Sequence, residues 1–134
     1  MGQYGRVALR ARCLIIENHL EAIDAWRKAA EAIITSPSSR EKGCPHCAFI
    51  GLCEEGYVMG VEKGGYSQRP SKYNKRYATD AANYLLGQKE KGLNTENFSN
   101  TCLWREVSQP KPEKQQGQMD VVLALWRNES IQMP

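Results

Sequence analysis

The side chains with the clearest chemical potential are the two thiols and the imidazole of the tetrapeptide Cys44-Pro45-His46-Cys47. Pro45 has a fixed φ and no N–H, which suits the first position of a helix. A cysteine at a helix N-terminus meets unsatisfied N–H groups and the positive end of the helix dipole, and both lower the pKa of its thiol. The spacing therefore allows two kinds of chemistry, thiol–disulfide exchange and metal binding.

Thiol–disulfide exchange fits the tetrapeptide but not its surroundings. The four residues resemble the active site of periplasmic disulfide-forming oxidoreductases, in which an apolar strand of a thioredoxin fold comes immediately before the motif. Here residues 36–42 are polar and are predicted to form a loop. Residues 1–6 carry charge but precede no apolar block, so they do not resemble a secretory signal. Redox catalysis by Cys44 and Cys47 is therefore kept only as an alternative.

Zinc binding needs more ligands than the tetrapeptide supplies. A structural zinc site uses four ligands, commonly two pairs of cysteines, and this chain has a single such pair. The nearby candidates to complete a site with Cys44 and Cys47 are His46 and Cys53. Cys53, however, falls on an apolar helical stripe with Phe49, which is typical of a buried small hydrophobe. A zinc site built on these side chains is kept as an alternative, and no cofactor is predicted.

The strongest electrostatic feature is a basic loop, residues 63–77, in which cations alternate with three tyrosines. Together with Glu62 it holds five cations and one anion, a local net charge of +4, whereas the whole chain carries only +3. Such cations bind phosphate backbones, and tyrosine rings stack on unpaired bases. A solvated helix face is the simpler explanation of the same residues. The predicted contact residues are Lys63, Tyr66, Arg69, Lys72, Lys75 and Arg76.

Other polar and aromatic residues are predicted to be structural. Tyr73 and Tyr77 lie four positions apart on an apolar helical stripe, which favours an inward position. Glu54 and Glu55 are neighbours at a helix end, about 100° apart around its axis, so we expect them to be solvated and not to share a site. The three tryptophans lie on predicted apolar stripes and are assigned to the core.

Apolar periodicity predicts an all-α domain of about six helices. Gly56 is predicted to end the helix that begins at Pro45, and Gly87 to end the one capped by Ser71. Residues 36–39 stop the second helix, because proline and serine favour turns. The predicted helices cover residues 4–18, 20–35, 45–55, 71–86, 99–107 and 116–128, with a short extended segment at residues 57–61.

Length and composition fit a single domain, residues 1–134, with a proline-rich internal linker at residues 108–115. Hydrophobic residues make up 41% and charged residues 25% of the chain, values typical of soluble globular proteins. No apolar run reaches the roughly 18 residues of a transmembrane helix. The expected location is the cytoplasm, where the five cysteines stay reduced.

Two blocks of the chain resemble a family of small uncharacterised bacterial proteins. The first begins at Gly43 and follows the pattern Gly-Cys-Pro-x-x-Ala-Phe-x-Gly-Leu-Cys-Glu-Glu-Gly. The second begins at Gln118 and follows the pattern Gln-Met-Asp-Val-Val-x-Ala-Leu-Trp. The resemblance covers most of the chain and implies no assigned activity.

Motifs that identify common enzymes are missing from the sequence. It contains no P-loop, dinucleotide fingerprint, nucleophile elbow or HExxH motif. The sequence therefore favours a non-catalytic binding module, with a nucleic acid or another anionic partner bound through residues 63–77. The alternatives are a protein-interaction or self-assembling module that forms a homo-oligomer, and a thiol-redox or zinc protein built on Cys44 and Cys47. No membrane partner is predicted.

Overall fold

The computed structural model describes residues 2–66, 72–95, 98–108 and 117–134. Within these ranges the chain is all-α, as predicted: six helices have eight or more residues, and one further helix, α3, is a single turn. The described residues contain no strand, only an isolated antiparallel bridge between Val58 and Ile131. The helices are α1 (Gln3–Asn18), α2 (Ala22–Ile33), α3 (Pro37–Arg40), α4 (Gly43–Glu54), α5 (Lys72–Glu90), α6 (Asn100–Val107) and α7 (Gln118–Arg127).

Helix α4 is the central element, packed against α2, α5 and α7. It is apolar on nearly all sides, as expected of a helix enclosed by others, and Phe49 and Leu52 are fully buried. It begins at Gly43, so Pro45 is its third residue and not its first. Gly56 ends it as predicted, with φ of 84°. The N–H groups of Gly56 and Tyr57 donate to the carbonyls of Cys53 and Leu52, at 3.2 and 3.0 Å, which is a Schellman motif.

Helix α5 is longer than predicted. Gly87 does not end it; the helix continues to Glu90 and closes at Gly92, which has φ of 78°. A glycine inside a helix costs only about 1 kcal/mol relative to alanine, and three good helix formers follow Gly87. The N–H of Leu93 donates to the carbonyl of Gln88 at 3.0 Å, which gives α5 the same type of ending as α4.

The segment between α2 and α4 is also more helical than predicted. Helix α2 stops at Ile33, and the predicted loop contains the single turn α3. Pro37 is the first residue of that turn, and Ser36 Oγ accepts a hydrogen bond from the Ser39 N–H at 3.4 Å. Proline and serine thus end α2 as predicted, but the same residues are well suited to start a new helix.

Helices α6 and α7 complete the core: α7 packs against α1, α4 and α5, and α6 packs against α5 and α7. Ser99 caps α6, since its Oγ accepts from the Cys102 N–H at 3.1 Å. The predicted extended segment is largely a turn, in which the Val61 N–H donates to the Val58 carbonyl at 3.1 Å. It lies beside the residues after α7, where the Met59 N–H donates to the Ser130 carbonyl at 2.8 Å. Ser108 is buried, and the rest of the predicted linker lies outside the described residues. None of the helices in the described part combines the length and apolar character that a membrane crossing requires.

Candidate functional site

The cysteine-containing tetrapeptide lies in the first turn of α4, where Cys44 and Cys47 are both half-buried. Cys53 lies at the C-terminal end of the same helix and is fully buried. Burial, and then the negative charge of Glu54, raise the pKa of the Cys53 thiol far above its ordinary value. Among the described residues no group of three or more histidine, cysteine, aspartate or glutamate side chains converges as a metal site.

His46 packs inward, against Trp26. The two rings are stacked, with centroids 5.9 Å apart and planes 9° apart, and Trp26 also contacts Phe49. Burial, and then the positive charge of Arg27, lower the pKa of His46. Its Nε2 atom is buried and has no hydrogen-bond partner. His46 is therefore held neutral as part of the contact between α2 and α4.

A cavity of about 400 Å³ lies beside this stacked pair, between α2, α3 and α4. Its charges are mixed, because Arg27 and Arg40 face Glu31 and Glu41. Arg40 is already engaged: its Nε donates to the Ile34 carbonyl at the end of α2. The cavity has no net charge that would select one class of ligand.

The prediction that Glu54 is solvated and that Glu54 and Glu55 do not share a site is wrong, whereas Glu55 is 43% exposed and so remains partly solvated, as predicted. Lys75 of α5 reaches both: its Nζ lies 2.7 Å from Glu55 Oε1 and 3.6 Å from Glu54 Oε1. Glu54 is only 9% exposed, and its Oε2 accepts the Tyr66 N–H at 3.0 Å. The hydrogen bond to Glu55 is the main cause of a raised pKa for Lys75. Lys75 thus serves the contact between two helices.

The other predicted contact residues differ in accessibility. Lys63 and Arg76 are exposed, and Arg76 lies 3.8 Å from Asp80 and 6.0 Å from the Tyr77 ring. Tyr66 is half-buried against the core, and its hydroxyl donates to the Glu62 carbonyl. Arg69 and the side chain of Lys72 lie outside the described residues.

Tyr73 is 63% exposed, which contradicts the inward position predicted for it. Tyr77 does pack inward, with its ring edge-on to Trp104 at a centroid distance of 4.8 Å. The buried face of α5 is instead formed by small residues and one leucine, and their spacing was the signal that could have shown Tyr73 to lie outside it. These residues are Ala78, Ala81, Ala82 and Leu85.

Fold and site together define a small single-domain all-α protein whose central helix is tied to α5 by an ion pair with two carboxylates. The chain belongs to a family of unknown function (DUF6979), whose sequence profile matches residues 1–132. Membership of an uncharacterised family is thereby confirmed, whereas the bacterial origin stays a prediction. No curated protein and no solved structure gives a significant match to the chain.

Proposed function

We propose that this protein is a non-catalytic binding module that holds single-stranded nucleic acid on the surface formed by Lys63, Tyr73 and Arg76. The exposure of Tyr73 is the observation that carries the proposal. Tyr73 and Arg76 are three residues apart in α5 and so are neighbours on one face of the helix. An exposed ring beside cations is suited to stack on a base while the cations bind the adjoining phosphates.

Two residues of the original prediction have a different role in this proposal. Lys75 is bound to Glu54 and Glu55, and Tyr66 is held by Glu54 and the Glu62 carbonyl. Lys75 joins α5 to α4, Tyr66 is held against the end of α4, and in this proposal neither residue contacts the nucleic acid. The contact surface is consequently smaller than the whole basic loop.

Fluorescence anisotropy with labelled single-stranded and duplex DNA and RNA, at two salt concentrations, tests the proposal. Tyr73→Ala is expected to weaken single-strand binding about tenfold, since stacking is worth about 1–3 kcal/mol per base. Changing Lys63 and Arg76 to alanine is expected to make the salt dependence shallower. The slope of log K against the logarithm of the salt concentration should fall by about 0.7 for each lost phosphate contact.

The matched control changes Arg10 and Lys28, two exposed cations on α1 and α2, to alanine. It removes the same charge from a different surface, so binding is expected to stay near that of the unmodified chain. The proposal is wrong if nothing binds at low salt, or if this control weakens binding as much as the loop variant does.

A protein-interaction role is the second candidate, favoured by exposed apolar side chains at Leu93 and Met133. Isolated exposed apolar residues are common on monomers. Light scattering over a range of concentrations distinguishes self-association from a monomer with isolated exposed side chains. A dimer that Met133→Lys dissociates supports self-association, and a monomer at every concentration rejects it.

A further inference from the structure

A second cavity, the Tyr66 groove, lies between the end of α1 and the segment that follows the Val58–Ile131 bridge. Its volume is about 470 Å³, in the range of small-molecule binding sites. Ile15, Ile16 and Leu20 line one side of the groove, and Val61 and Tyr66 line the other. The proposed nucleic-acid surface does not involve these walls, and the ion pair at Lys75 meets them only through the hydrogen bond from the Tyr66 N–H to Glu54.

The groove is acidic. Glu21 and Glu62 are both exposed and both line it, and no lysine or arginine is among its lining residues in the described part of the chain. Neither carboxylate has an ion pair within that part. Both carboxylates act on the Tyr66 hydroxyl, because their charges add to burial in raising the pKa of Tyr66. Arg12 lies at the margin of the groove, with its Nη2 atom 3.7 Å from a Cβ atom built on Gly60, and its Nε donates to the Met59 carbonyl at 2.8 Å.

The backbone around the groove is shaped by two residues with positive φ. Gly60 has φ of 88°, and a Cβ atom built on it would lie 2.7 Å from Cδ1 of Ile16. His19, with φ of 56°, ends α1 in the left-handed conformation, which is uncommon for a residue other than glycine. The close approach at Gly60 brings Val61 and Glu62 alongside the end of α1.

We propose that the Tyr66 groove binds a small organic cation with an apolar body, such as a primary alkylammonium ion. The apolar body packs against Ile16, Leu20 and Val61, while the cationic head lies between Glu21 and Glu62 beside the Tyr66 ring. Opposite charge attracts the head group, and an aromatic face adds a cation–π contribution. An anion of the same shape meets two carboxylates and is rejected.

Titration of the full chain with three six-carbon probes, followed by NMR of backbone amides, tests this inference. Hexylammonium is expected to give saturable shifts centred on Ile16, Gly60, Val61 and Tyr66. Hexanol, which has the same body without charge, is expected to bind at least about fivefold more weakly, and hexanoate not at all. Shifts centred elsewhere, or equal binding of all three probes, would overturn the proposal.

Substitution of the carboxylates provides the second arm of the test. Glu21→Gln and Glu62→Gln are each expected to weaken hexylammonium binding about two- to fivefold, the usual range for an exposed ion pair. Glu31→Gln, which lies at the other cavity, is the matched control and is expected to leave binding unchanged. Equal loss in the control, or no loss in either groove variant, rejects the site. The groove is proposed to bind a cation and the other surface an anion, at different residues. The failure of one proposal therefore does not imply the failure of the other.

Discussion

Gly51 of α4 lies directly against Lys75 of α5. A Cβ atom built on Gly51 would lie 2.7 Å from Cγ of Lys75 and 3.0 Å from its Cα. Only a residue without a side chain allows the two helices to cross this closely. The crossing also explains the ion pair: residues three and four positions after Gly51 lie on the same face of α4, one on each side of it. Those two residues are Glu54 and Glu55, and Lys75 lies between them.

Gly51→Ala is expected to destabilise the fold, although alanine is the better helix former by about 1 kcal/mol. The methyl group meets the backbone of Lys75, and overpacking of this kind costs about 1–3 kcal/mol. Chemical denaturation measures the change. Gly87→Ala is the matched control, because nothing lies within 4 Å of a Cβ there; it is expected to stabilise the protein by up to about 1 kcal/mol. If both variants are stabilised, the helices are not in close contact at Gly51.

Loss of Lys75 is expected to cost more than loss of an ordinary surface cation. Its side chain is 29% exposed, and Lys75→Met leaves the Glu54 carboxylate, 9% exposed, without that partner. We expect the free energy of unfolding to fall by about 1–3 kcal/mol, and Glu54→Gln in the same chain to restore part of it. A double-mutant cycle measures the coupling. The exposed pair of Arg76 and Asp80 is the comparison, with an expected coupling of at most about 0.5 kcal/mol. Equal couplings would contradict a structural role for Lys75.

Acid is expected to weaken the fold through His46. Because the pKa of His46 is lowered in the folded protein, the folded state binds its proton less readily than the unfolded state. The contribution of His46 to the free energy of unfolding is fully present above the unfolded pKa of about 6.5. It is lost as the pH falls towards the folded pKa, by up to about 1.4 kcal/mol for each pH unit that separates the two pKa values. Denaturation at pH 7.5 and at pH 5 should show that the free energy of unfolding falls more for the unmodified chain than for His46→Gln. The same loss in both would show that other groups cause it.

Alkylation of the native protein at neutral pH is expected to proceed at very different rates for different thiols. Cys102 is exposed, whereas Cys53 is fully buried and burial raises its pKa, so it lacks both access and the thiolate form. Mass spectrometry after a short iodoacetamide pulse should find Cys102 modified and Cys53 intact. In urea above the unfolding transition the two rates should converge. Rapid native modification of Cys53 would mean that α4 is not enclosed as described.

The features that sequence reasoning placed correctly depend on neighbouring residues. The break at His19, the helix end at Gly56 and the start of α6 near Ser99 are each decided within one helical turn. Gly87 shows the limit of the same reasoning. Both Gly87 and Gly92 offer a helix end, and the three good helix formers that follow Gly87 carry α5 on to the second glycine.

The sequence by itself determined the all-α class and the number of long helices, because periodicity and helix-ending residues act locally. Only the tertiary structure decided that Lys75 joins Glu54 and Glu55, because their partner lies some 20 residues away on another helix. The meeting of Glu21 with Glu62 at one groove was decided in the same way. Periodicity shows which side chains of one helix share a face. Which residues of other elements lie against that face depends on how the helices pack.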